Sequence, residues 1–244
     1  MDYFNAKTNF LYLSILLLVA ISYLENNYLL LKFSFMWILY IIFVGNGHRL
    51  QLNSQILETL LRRLVNIIII VSPIFIFNIR IYFERFSIKY LLVAFILGFL
   101  NNLIVKKINP TISNRIILET QIALTTFTTK QVKMTFVRLL SLLFFPIGEE
   151  IFFRATVLAS QINFFAISVF ISSIIFPLAH FSFNWTTGFK FKDVLLQIEL
   201  SVISSVLICS SQSIYPSLLI HYIFNYYSFK KNYFILFYLK RCAS

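Results

Sequence analysis

The sequence predicts an all-α fold, a polytopic transmembrane helical bundle of about eight spans, and three observations predict it. Of 244 residues, 59% are hydrophobic and only 12% charged, with mean hydropathy +0.83. An ordinary soluble domain has roughly 45–50% apolar and 25% charged residues. Apolar runs approaching the roughly 20 residues that cross about 30 Å of hydrocarbon recur along the whole chain. Strand-length alternation, the mark of a membrane barrel, is missing, so helices are the expected elements.

The expected spans, in order, are 9–24, 28–45, 64–82, 88–105, 135–159, 162–182, 194–211 and 214–229. Only Lys7 precedes the first run as a basic residue and no small-residue cleavage site follows it, so it reads as a span rather than a secretory leader. A last apolar stretch, 233–239, is too short to cross and is expected at the interface. The connection 106–134 is polar and Thr-rich, with an amphipathic piece from Ile116 to Leu124 expected on the inner leaflet. No internal repeat or low-complexity tract is visible. The expected organisation is N-terminal helices with their cytoplasmic connection over 1–134, a core over 135–229 and a basic cytoplasmic tail over 230–244.

Net charge is +12. Gathered on one helix or tail, such charge would point to nucleic acid. Here it is scattered through the connections, so no nucleic-acid partner is expected, and the lipid bilayer is. With the N-terminus inside, fifteen of the 21 basic residues fall on the cytoplasmic side and four outside, which places both termini in the cytoplasm. The weakest point is Arg80 to Lys89, on the wrong side. Arg138 and Arg154 fall within a span. Cys209 and Cys242 form neither a CxxC nor a disulfide framework, and two residues after Cys242 are too few for a prenylation box.

Ionisable residues inside spans are costly, and they are candidate functional groups. They collect here in Glu149, Glu150, Arg154, His180, His221 and Asn225, with Glu199 as an extra member. Glu150 and Arg154 are four apart and share a helical face. Glu149 is turned by about 100° from Glu150, so it can face a cavity while its neighbour pairs with the arginine. Taken alone, the three charges could equally be an interhelical salt-bridge cluster, and His180, His221 and Asn225 could be interhelical hydrogen-bonding groups. Together they can do more. Where water is scarce, the charged form of a carboxyl is disfavoured, so a glutamate can act as general base. A histidine beside it can orient a water, and a His–Asn pair can donate to a developing oxyanion. No GxSxG and no HExxH is present.

Three motifs carry a resemblance. EEIFFR (Glu149 to Arg154) fits EExxxR, FPLAH (Phe176 to His180) fits FxxxH, and HYIFN (His221 to Asn225) fits HxxxN. In this order, each in its own apolar span, they resemble the CPBP family of CAAX prenyl proteases and bacteriocin-processing intramembrane proteases, also called the Abi family. The resemblance covers about residues 135–229. It implies an intramembrane endopeptidase in which Glu149, with His180, activates water and His221 and Asn225 form the oxyanion hole. It also implies supporting roles for Glu150, Arg154 and Phe176, and a peptide or protein substrate of CAAX or bacteriocin type. No cofactor is favoured; were a divalent metal such as zinc bound, Glu149, His180 and His221 would be its ligands. The chain departs from many relatives in having Ser and Pro216 where the approach to the last motif is rich in Gly and Ala, and its five glycines are few for closely approaching helices.

Two other functions fit the same residues. A non-catalytic membrane immunity or partner-binding protein would use the same cavity. A proton-coupled transporter would use Glu149, Glu199 and His180 as a relay, but it predicts matching broken helices in two halves. The first half offers Pro73 without a counterpart of the three motifs.

Overall fold

In the computed structural model, residues 2–44, 54–108, 129–160, 165–184 and 191–243 are described, and among them every regular element is helical. The helices are α1 (Asp2–Leu24), α2 (Tyr28–Phe43), α3 (Gln55–Val71), a 3-10 turn (Ser72–Phe75), α4 (Ile81–Glu84), α5 (Ile88–Ile108), α6 (Thr129–Glu150), a π turn (Ile151–Ala155), α7 (Thr156–Ala159), α8 (Phe165–Asn184), α9 (Phe191–Ser211), α10 (Tyr215–Phe224) and α11 (Tyr226–Ala243). The amphipathic piece expected at Ile116–Leu124 lies outside the described residues.

Among the described residues two helices are long and apolar enough to cross a membrane, over Ile88–Lys107 and Val194–Ser211; Leu11–Leu24, Tyr28–Phe43 and Ala166–His180 are shorter apolar helices. Only 17% of the Ile88–Lys107 window is buried inside the protein, which is the reverse of a soluble core helix. Phe95, Ile96 and Phe99 of α5, like Leu16 of α1 and Phe35 of α2, stand exposed. An apolar surface of this extent needs an apolar partner.

Three expected spans differ from the helices observed: 135–159 is α6, a π turn and α7 in succession, and α6 starts at Thr129, inside the expected connection 106–134. The run 64–82 is not one helix: α3 starts earlier, at Gln55, where Ser54 accepts a hydrogen bond from the Leu57 N–H, and it ends at Val71. Pro73 lacks an N–H and converts the next turn to 3-10 geometry. The run 214–229 is also divided, because α10 stops at Asn225 and α11 starts at Tyr226. The stretch 233–239, expected as a separate interfacial piece, lies inside the 18-residue α11.

Residues 129–159 bring the motif glutamates to the centre of the bundle. Pro146 sits inside α6 and the π turn follows Glu150 at once. Every residue from Glu150 to Val157 is buried, with no lipid-facing position. Phe152 and Phe153 of this turn meet α2, with ring centroids 5.3 Å apart for Tyr40–Phe152, 5.6 Å for Phe33–Phe152 and 6.1 Å for Trp37–Phe153. Such pairs add about 0.5–1.5 kcal/mol each beyond area burial.

Close approach between helices falls to a few small residues. A Cβ on Gly148 would lie 2.6 Å from Ile70 Cγ1, so glycine lets α3 and α6 touch next to Glu149. Gly98 of α5 does the same for Ile223 of α10, where an added Cβ would be 2.9 Å from Cδ1. Elsewhere serine replaces glycine: Ser201 Oγ donates to the Ser172 carbonyl (3.0 Å) and Ser205 Oγ to Ser172 Oγ (2.9 Å), joining α9 to α8. Small polar residues of this kind hold helices together where lipid removes the hydrophobic drive.

Candidate functional site

Three helices bring the motif residues to a cavity of about 380 Å³. α6 brings Glu149, α8 brings His180, and α10 brings His221 and its C-cap Asn225; all four line it. Glu149 and Glu150 diverge as neighbours on a helix must. Glu149 faces the cavity with its side chain 16% exposed, while Glu150 is completely enclosed.

His180 Nδ1 is 3.1 Å from the Phe176 carbonyl one turn earlier. A carbonyl can only accept, so this nitrogen carries the hydrogen, and in the neutral ring Nε2 keeps its lone pair. That Nε2 is 3.8 Å from Glu149 Oε1. His221 Nε2 is 3.4 Å from the other oxygen, Oε2. Behind His221, its Nδ1 is 2.6 Å from Glu150 Oε1. Glu150 Oε2 accepts from the Ser217 hydroxyl, and Arg154 Nη1 is 3.1 Å from Oε1.

Phe176 ties these groups together. Its ring lies under the Arg154 guanidinium, 3.7 Å from Cζ to the centroid, and 4.4 Å from the His180 ring. It also meets His221 edge-on at 5.9 Å and 89°. Arg154 is fully buried, yet none of its nitrogens makes a hydrogen bond of good geometry, so charge and stacking hold it. Tyr222 Oη donates to the Leu143 carbonyl at 2.6 Å, fixing α10 against α6 near Pro146.

The structure therefore brings together Glu149, His180, His221, Asn225, Glu150, Arg154 and Phe176. Glu199 on α9 does not join them. Gln197, two residues earlier, lines the cavity instead, its Oε1 buried with no hydrogen-bond partner. Among the described residues no group of three His, Cys, Asp or Glu is arranged to hold a metal ion. In the set named for zinc, the two imidazoles address different oxygens of Glu149.

Sequence reasoning missed several lining groups. Arg63, Arg138 and Lys231 also line the cavity and make part of its wall basic. Counting charge by membrane side registers them only as topogenic or in-span charge. Ser217 was also missed, although its place four residues before His221 puts it on the same helical face.

Residues 131–227 match the family described as type II CAAX prenyl endopeptidase Rce1-like. No curated protein and no solved structure matches the chain significantly.

Proposed function

Since residues 131–227 belong to the type II CAAX prenyl endopeptidase Rce1-like family, a family of membrane-integral proteases, we propose that this chain hydrolyses a peptide bond within the membrane by a glutamate mechanism. The observation that carries the proposal is the convergence of Glu149 with two imidazole Nε2 atoms, at 3.8 and 3.4 Å, on one cavity.

A water between Glu149 and His180 finds an acceptor for each of its hydrogens. Its lone pairs stay free, and one of them can attack a carbonyl carbon. Glu149 takes a proton as the oxygen attacks, and the carbonyl oxygen becomes an oxyanion that His221 and Asn225 stabilise. Glu150 and Arg154 hold the helix turn behind Glu149. No step requires a metal.

The substrate is a peptide or protein segment that reaches the cavity from the membrane surface, of CAAX or bacteriocin-related type. Arg138 precedes Glu149 by eleven residues, about 16 Å along a helix, a distance that about five extended residues cover. The basic wall at Arg138 suits a segment carrying a carboxylate there. In the orientation given by the charge bias, with eight spans and both termini cytoplasmic, the Arg138 half of α6 lies toward the cytoplasm.

The test is cleavage of a peptide library by purified protein in detergent, comparing wild type with Glu149→Gln and running both with and without a chelator. Product that survives chelation and disappears in the variant is expected. Loss of product on chelation would move the mechanism to metal. Equal turnover by Glu149→Gln would overturn the reading and favour a partner-binding protein.

A further inference from the structure

We infer that Ser217 is a positioning residue for a proton relay: through Glu150 it fixes His221, whose Nε2 receives the proton taken from water and delivers it to the departing amine. This rests on the hydrolytic reading above and adds to it a residue outside the three motifs.

The argument starts from α10. Ser217, His221 and Asn225 recur every four residues, so one helical face presents all three to α6. Pro216 stands in the first turn, where its missing N–H costs nothing. Ser217 and Glu150 are fully enclosed. Glu150 is therefore a carboxylate with both oxygens engaged, Oε2 by the Ser217 hydroxyl and Oε1 by His221 Nδ1, with Arg154 beside it. It is held from both sides, and the Phe176 ring meets the His221 imidazole edge-on.

The consequence is a fixed tautomer. The Nδ1 hydrogen of His221 is committed to Glu150, so in the neutral ring Nε2 has a lone pair and no hydrogen. Such a nitrogen cannot donate to an oxyanion. It becomes a donor only when a proton arrives, and the nearest source is Glu149 Oε2, 3.4 Å away.

The steps balance. The water oxygen bonds to the carbonyl carbon and one water hydrogen passes to Glu149. That proton moves to His221 Nε2, which then donates to the oxyanion. When the C–N bond breaks, its electron pair stays on nitrogen, which takes the proton from Nε2. Glu149 returns to carboxylate and His221 to its starting tautomer. The second water hydrogen leaves with the new carboxylic acid. Water activation and leaving-group protonation thus share one proton.

The chain has three histidines, His48, His180 and His221, so nitrogen-15 histidine spectra of the full chain in micelles resolve each ring, with His48→Gln and His180→Gln supplying the assignment. With the rings neutral, His221 is expected as the Nδ1–H tautomer. In Ser217→Ala it is expected to become a mixture, with kcat lower by about 10–100-fold, as for outer partners of other catalytic ligands. KM should stay within about twofold, and Ser217→Thr, which keeps the hydroxyl, should restore both spectrum and turnover. A wild-type His221 carrying its hydrogen on Nε2 would overturn the inference, as would Ser217→Ala with unchanged tautomer and kcat. A wild type that cleaves nothing fails the hydrolytic reading instead; the Ser217–Glu150–His221 array is then judged by the spectra alone.

Discussion

Replacing Arg154 by Met tests how the site is held. The guanidinium is fully buried, with Nη1 3.1 Å from Glu150 Oε1 and Cζ 3.7 Å from the Phe176 centroid. At that separation, with an effective dielectric of 20, the gross attraction is about 5 kcal/mol. Methionine is unbranched and fills much of the space, so the variant removes charge more than volume. It leaves a buried carboxylate without its cation, for which about 3–5 kcal/mol of destabilisation is typical. Glu150 keeps the Ser217 and His221 hydrogen bonds, which places the loss near the lower end, about 3 kcal/mol. Against a total stability of about 5–15 kcal/mol, that is readily measured. The assay is equilibrium unfolding in mixed micelles containing a denaturing detergent, followed by fluorescence of Trp37, which is buried against Phe153. Adding Glu150→Gln to Arg154→Met removes both charges, and the pair should recover at least about 1 kcal/mol of the loss, the signature of coupling in a double-mutant cycle. An Arg154→Met protein as stable as wild type, or a double variant that recovers nothing, would refute the claim that this ion pair carries the turn.

Two further outcomes follow from the geometry. Gly148→Ala inserts a Cβ 2.6 Å from Ile70 Cγ1, and overpacking of this kind costs about 1–3 kcal/mol; the same unfolding assay should show the loss, and a companion Ile70→Ala should reverse it. Arg138→Ala, on the basic wall of the cavity, should raise KM at least about tenfold for a peptide with a carboxylate there, because one charge-assisted hydrogen bond contributes about 1.5–3 kcal/mol. The kcat should change less than about twofold and the amidated peptide should be unaffected, which steady-state kinetics on the two peptides will check.

Much of this site could be read from spacing. Glu149 and Glu150 had to diverge by about 100°, and Glu150 had to lie over Arg154; side-chain exposure of 16% against none follows from that rotation. Pro73 was visible as an isolated helix breaker, but the apolar run around it hid the end of α3, because hydropathy does not register a missing N–H. The π turn left no mark in the sequence, since IFFRA is as apolar as its neighbours apart from the arginine. Arg63 and Arg138 were legible as charges but not as cavity groups, because counting charge by membrane side discards which helix face bears it. Ser217 was passed over for chemical reasons: a lone hydroxyl in an apolar run matters only once a buried carboxylate is known to lie opposite. Counting five glycines as a deficit in close packing overlooked serine, which joins α8 and α9 at Ser172, Ser201 and Ser205.

The unbroken burial of residues 150–157 also has a bearing on the surroundings in which the protein works. α5 presents most of its surface outward and must feel whatever acyl chains lie against it. The π turn has no outward side, so no acyl chain, sterol or detergent tail can touch the groups that orient Glu149 without first displacing protein. Thickness and fluidity of the bilayer then reach this turn only through movements of whole helices, and Glu150 is insulated from the identity of individual lipids.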